Sequence, residues 1–138
     1  AAGGYGPRAL LLRINGLDTE WGADDLAALM ETGPDALLIP KVDSAAQVAA
    51  IAEKLDARPN CADTRIWAMM ESPRGILNAH QIAAAPRMGG FVLGTNDLAK
   101  DLGCRERAER LPLQMALQTC GMAARAETGA SRIGRGRF

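Results

Sequence analysis

Glu71 closes the apolar run "RIWAMME", and Asp97 follows the run "GFVLG" within "GTNDLAKDLG". Two carboxylates at the ends of neighbouring strands repel one another unless a cation lies between them or a proton is shared. Mg2+ suits such a pair, because it prefers octahedral oxygen coordination, keeps several waters and is commonly held by one or two carboxylates. Arg13 shares strand parity with Leu11 and Asn15 in "LLLRIN", near the end of its own apolar run. There its guanidinium would face an anionic or enolising substrate on that cation. Lys41 holds the corresponding place in "ALLIPKV". The "LGTND" turn adds backbone N–H groups from Gly94, Thr95 and Asn96 at the approach to a helix, a cradle suited to a carboxylate.

Each of these residues taken alone also has a plainer role. Asp97 could be the N-cap of a short helix starting at Leu98, and Glu71 could favour the positive end of the helix that follows it. Arg13 and Lys41 could snorkel or pair with structural carboxylates. His80, the only histidine, falls mid-helix and reads as a surface or packing residue. Met30, Met69, Met70, Met115 and Met122 read as core filling. It is the placement of Arg13, Lys41, Glu71 and Asp97 together, each at the C-terminal end of a strand, that favours a site.

The elements that must position them are four short apolar runs: "ALLLRIN" from Ala9, "ALLIPKV" from Ala36, "RIWAMME" from Arg65 and "GFVLG" from Gly90. Their starts lie 27, 29 and 25 residues apart. Helical signals fill the intervals. "DDLAALMETG" follows the first run, and "DSAAQVAAIAEKL" follows the second with Ser44 or Asp43 as N-cap and Val48, Ile51, Ala52 and Leu55 on one face. After the third run, Ser72 suits an N-cap and Pro73 the first helical position. "TNDLAKDLG" and "LPLQMALQTCGMAARA" follow the fourth. Strands alternating with helices at this period predict right-handed βαβ units and a parallel sheet. An open doubly wound sheet and a (β/α)8 barrel both accept that pattern. Polar residues at the ends of all four strands favour the barrel, whose active sites are built on that rim, and no GxGxxG turn follows any strand.

Composition narrows the function. The 138 residues are 48% hydrophobic and 23% charged, enough for one globular domain. Sixteen basic and sixteen acidic side chains cancel and only 4% of residues are aromatic, which argues against nucleic acid as a partner. No apolar run reaches the roughly 18–20 residues that span a bilayer, which argues against a membrane. Cys61, Cys104 and Cys120 form no CxxC pair and read as reduced thiols of a cytoplasmic protein.

Four ordered stretches, "LLRINGLDTEWGADDLAAL", "ALLIPKVDSAAQV", "AMMESPRGILNA" and "GFVLGTNDLAKDLG", resemble the HpcH/HpaI aldolase and citrate lyase β-subunit superfamily, especially its malyl-CoA and citramalyl-CoA lyase branch. The resemblance covers about residues 5 to 126. It implies an α/β fold, a partial (β/α)8 TIM barrel of about four parallel βα units, and Mg2+-dependent, reversible carbon–carbon cleavage of a 3-hydroxyacyl-CoA thioester to an acyl-CoA and a 2-oxo acid. It implies Glu71 and Asp97 as metal ligands and Arg13 as the residue that binds the 2-oxo acid and stabilises its oxygen as charge develops. Glu71, Gly94, Thr95 and Asn96 would line the substrate site. The partners implied are a CoA thioester and a small 2-oxo acid, with a homo-oligomer expected of the full-length protein.

The chain departs from that pattern in ways that matter. By the resemblance it begins at the third barrel strand, so it reads as a fragment or a truncated descendant. Leu117 stands where many members have arginine. Residues 127–138, "ETGASRIGRGRF", have no counterpart and read as a disordered basic tail after a domain spanning 1–126. Two alternatives stay open: a CoA-independent 2-oxo-acid aldolase of the same superfamily, which would be expected to place a basic histidine near its metal, and a catalytically incomplete interaction module.

Overall fold

The computed structural model describes residues 10–104 and 111–128 and the backbone of 133–135. Five parallel strands form one sheet in sequence order: β1 (Leu11–Arg13), β2 (Ala36–Ile39), β3 (Arg65–Met70), β4 (Met88–Leu93) and β5 (Ile133–Arg135). Six helices alternate with them: α1 (Gly22–Thr32), α2 (Ala45–Asp56), α3 (Pro73–Leu77), α4 (Ala79–Ala83), α5 (Thr95–Asp101) and α6 (Gln114–Thr128). No later strand is inserted between earlier ones, which is the order of a barrel and not of a doubly wound sheet. The fold is a partial (β/α)8 barrel. The four strands expected from the sequence are present, and β4 begins two residues earlier than the "GFVLG" run, at Met88.

The strand registers sort the side chains into two layers. Arg13 pairs with Leu38, Leu38 with Trp67, and Met69 with Val92. Leu38, Met69 and Val92 form a small cluster with Trp67 against it. The alternate positions Leu37, Ile39, Ile66, Ala68, Met70, Phe91 and Leu93 join the main core with helix residues such as Leu26, Val48, Ile51, Leu55, Ile82 and Leu98. Helices therefore cover one face, and the side chains that fill a barrel interior occupy the other. Strands buried on both faces are read in sequence as continuous apolar runs, as "ALLI" is.

Local chemistry sets the helix starts. Ser44 caps α2 in a reciprocal box: its hydroxyl accepts from the Gln47 N–H, and Gln47 Oε1 accepts from the Ser44 N–H at 3.0 Å. Ser72 accepts from the Gly75 N–H at 3.0 Å, and Pro73 opens α3. At the opposite, N-terminal end of the strands Arg87 adopts φ +61 and donates through Nη1 to the carbonyls of Cys61, Ala62 and Thr64, while its Nε donates to Asp56.

Two expectations need correction. Met30, Met69 and Met70 are buried, but Met115 and Met122 are 66% and 67% exposed, because α6 turns those positions outward while Leu113, Ala116, Cys120 and Ala123 face the core. The stretch from 127 is not uniformly a disordered tail: Glu127 and Thr128 complete α6, and Ile133–Arg135 pairs in parallel with Phe91–Leu93. Pairing answers the open hydrogen-bond groups along the edge of β4. The remainder of that stretch lies outside the described residues. Among the described residues no helix is long and apolar enough to cross a membrane.

Because the Ser44 hydroxyl answers an otherwise open N–H of α2, Ser44→Ala should lower stability by about 0.5–2 kcal/mol. Urea unfolding followed by circular dichroism checks this, and an unchanged midpoint would mean that the cap is energetically idle.

Candidate metal and substrate site

Glu71 is placed by the sheet on both of its sides. The ladder runs past the strand ends: the Val42 N–H donates to the Met69 carbonyl and the Gly94 N–H to the Met70 carbonyl. The next residue, Glu71, emerges at the rim only 6% exposed. Its Oε1 accepts from the backbone N–H of Lys41 at 2.7 Å. Lys41 points that N–H inward from a left-handed backbone, φ +51. On the other side, a Cβ built on Gly94 would lie 2.7 Å from Glu71 Oε2.

The loops around this carboxylate are tied to one another. Ser72 Oγ donates to Asp43 Oδ1, and Asn78 Nδ2 donates to the Asp43 carbonyl at 2.8 Å, so the β2–α2 connection is bonded to the segment that follows β3. The turn after Arg13 is held by Asn15, whose backbone N–H and Nδ2 both donate to Asp25 Oδ2. A cleft of about 190 Å3 opens beside Lys41, lined also by Leu17, Asp18, Pro40, Asp43 and Gln47.

Burial pushes the Glu71 carboxyl above its ordinary range, and the negative Asp97 pushes the same way. The Lys41 N–H and the charges of Arg13 and Lys41 act in the opposite direction without cancelling the effect. A buried carboxylate whose charge is resisted by a second carboxylate gains from a cation, and the donor set fits a hard one. Among the described residues no group of three or more His, Cys, Asp and Glu comes together.

Arg13, Lys41, Glu71 and Asp97 thus share one rim, and Arg13 and Asp97 both act on the charge of Glu71. Other parts of the expected site change. Asp97 is not an N-cap: α5 begins at Thr95 after Gly94, and Asp97 sits in its first turn. Gly94 does not offer its N–H to a ligand, because that N–H is spent on Met70. Its contribution is the missing side chain. Thr95 and Asn96 keep first-turn positions, where N–H groups have no acceptor within the helix. His80 stands on the surface, its Nε2 2.8 Å from Glu127 Oε1. The backbone donor at Lys41 had no sequence signal beyond its place two residues after β2.

A parallel sheet in barrel order, with polar side chains gathered at the C-terminal ends of its strands, defines the class of (β/α)8-barrel proteins. The chain belongs to the HpcH/HpaI aldolase/citrate lyase family, which it matches over residues 2–132. It is 52% identical over 122 residues to a (3S)-malyl-CoA thioesterase of Cereibacter sphaeroides, covering 88% of this chain and 41% of that protein. The chain therefore spans about two fifths of the length of these curated relatives. Among solved structures, RipC from Yersinia pestis aligns with TM-score 0.76 and 38% identity over 94% of this chain and 58% of its own. CitE from Mycobacterium tuberculosis, crystallised with magnesium, acetoacetate and coenzyme A, aligns with TM-score 0.73 and 31% identity over 91% of this chain and 44% of its own.

The raised carboxyl carries a consequence for stability without metal. Between the unfolded value near 4.5 and the higher folded value, the native state holds the Glu71 proton more tightly, so stability falls as pH rises through that window. With a chelator present at neutral pH, Glu71→Gln should therefore be more stable than wild type by on the order of 1 kcal/mol, since it removes a buried charge and keeps an oxygen for Lys41. The gain should shrink as the pH is lowered through that window and be gone below about 4.5. Thermal unfolding across pH 4–8 checks this, and a less stable Gln variant at neutral pH would contradict the electrostatics described.

Proposed function

We propose that the protein is a Mg2+-dependent carbon–carbon lyase that cleaves a 3-hydroxyacyl-CoA thioester reversibly to an acyl-CoA and a 2-oxo acid. The observation that carries this reading is the buried Glu71 carboxylate at the barrel rim, with Asp97 and Arg13 near enough to act on its charge. Glu71 and Asp97 would hold the ion. Mg2+ supplies, when bound, a Lewis acid and an oxygen template for a 2-oxo acid. Arg13 binds that acid through its planar guanidinium and stabilises the oxygen that gains negative charge as the bond breaks. The first-turn N–H groups of Thr95 and Asn96 receive the acid's carboxylate. Family membership and the magnesium and coenzyme A bound by CitE support the choice of ion and thioester.

The balanced charge and sparse aromatics support small-molecule partners over nucleic acid. Cys61, Cys104 and Cys120 are all free thiols, which supports a cytoplasmic setting. Exposed Leu111, Met115 and Met122 at α6 support a homo-oligomer in the whole protein.

A second reading, hydrolysis of the same thioester, is favoured by the 52% identity to a malyl-CoA thioesterase. The products separate the two. Lyase chemistry on malyl-CoA or citramalyl-CoA releases a 2-oxo acid and leaves the thioester intact, whereas hydrolysis consumes water and liberates the free thiol. In the whole protein with Mg2+ we expect 2-oxo acid without thiol, and no turnover after chelation. Arg13→Lys, which replaces a planar fork by a point charge, should lower kcat by about 10²- to 10³-fold while Mg2+ still binds. Thiol release would select the hydrolytic reading, near-wild-type turnover of Arg13→Lys would make Arg13 structural, and cleavage of only a free 4-hydroxy-2-oxo acid would mean a CoA-independent aldolase.

A further inference from the structure

We infer that Lys41 and Gly94 are positioning residues that fix Glu71 as a one-oxygen ligand, Lys41 through its backbone N–H and Gly94 through its lack of a side chain. The inference rests on the proposed metal site and concerns how its first ligand is aimed. Glu71 Oε1 is committed at 2.7 Å to the Lys41 N–H. That N–H reaches it because Lys41 adopts φ +51, one of two non-glycine residues with positive φ among the described residues. A lysine in this region costs free energy that asparagine or glycine largely avoids, and β-branched residues tolerate it least. Non-glycine residues held there cluster where surrounding structure over-determines them, commonly at functional sites.

Gly94 restrains the carboxylate from the opposite strand. A Cβ there would sit 2.7 Å from Glu71 Oε2 and 2.8 Å from Glu71 Cβ, closer than non-bonded atoms approach. Glu71 therefore lies flat against the backbone at the end of β4, with Oε2 left as the oxygen offered to a cation. The residues after β2 and β4 hold the carboxylate of β3 from both sides. Because the Lys41 contribution is made by the main chain, its side chain is replaceable while its backbone angle is not. Groups that orient a metal ligand in this manner typically govern affinity by about 10- to 100-fold.

The experiment is calorimetric titration of Mg2+ into wild type, Lys41→Asn, Lys41→Val, Gly94→Ala and Glu71→Gln, with circular dichroism confirming the fold of each. Lys41→Asn and Lys41→Val lose the same charge and differ in tolerance of positive φ. Lys41→Asn should bind Mg2+ within about 3-fold of wild type, because asparagine accepts the left-handed backbone. Lys41→Val and Gly94→Ala should bind at least about 10-fold more weakly. Equal weakening by Asn and Val would assign the effect to the ammonium and overturn the backbone role. Unchanged affinity in Gly94→Ala would overturn the close approach, and this variant decides alone if Lys41→Val does not fold. Absence of Mg2+ binding in wild type, or binding indifferent to Glu71→Gln, would instead remove the metal site itself and the inference with it.

Discussion

A carboxylate taken out of water must be answered, and the arrangement of this molecule's rim follows from how Glu71 is answered. Its exposure is 6%, yet among the described residues its donor is a single backbone N–H. One neutral donor does not offset the loss of hydration together with repulsion from a second acid, so the carboxyl rises in pKa instead of settling as a satisfied anion. Structural carboxylates in the same molecule are treated differently. Asp25 accepts two bonds from Asn15, and Asp56 pairs with Arg87 at the surface. The contrast between acids that are satisfied and one that is held short of it separates scaffold from site.

The two ends of the strands divide the labour accordingly. At the N-terminal end Arg87 gathers the carbonyls of Cys61, Ala62 and Thr64, groups that belong to the connection into β3. At the C-terminal end the connections are tied through Asp43, Ser72 and Asn78, which restrain loops without using the charges that face the rim. Barrel enzymes commonly segregate stability and chemistry in this way. Here both ends use a non-glycine residue at positive φ, Arg87 below and Lys41 above, but for opposite purposes. One presents a side chain to backbone acceptors, and the other presents backbone to a side chain.

How much of this could be read in the residue order depends on whether the signal is local. Strand runs, helix faces and the caps at Ser44 and Ser72 are written in adjacent residues and read correctly. The convergence of Arg13, Glu71 and Asp97 follows from parity and strand ends, which are also local. What escapes is non-local. That Lys41 bends to meet an acid thirty positions away, and that Gly94 must lack a side chain because Glu71 lies against it, are visible only once β2, β3 and β4 are side by side. Asp97 reads as a cap from its neighbours, but the helix begins three residues sooner than that, at Thr95 after Gly94. Met115 and Met122 look like core because methionine is usually apolar filling; only the packing of α6 decides which of its faces turns inward.

The division of sulfur atoms between inside and outside bears on how the molecule would meet oxidants. Cys120 is buried and its thiol pushed up to about 12, so almost none of it exists as the reactive thiolate at neutral pH, and Cys61 is enclosed beneath the Met30 carbonyl. Met69 and Met70, which lead directly into Glu71, are sealed within the sheet. Met115 and Met122 on the open side of α6, and the part-buried Cys104, are therefore the sulfur atoms among the described residues most open to peroxide. Sulfoxide formed there would make the open side of α6 more polar long before it disturbed the strand that carries the carboxylate. Oxidative damage would be felt first at the outer side of α6 and only later along the strand that ends on Glu71.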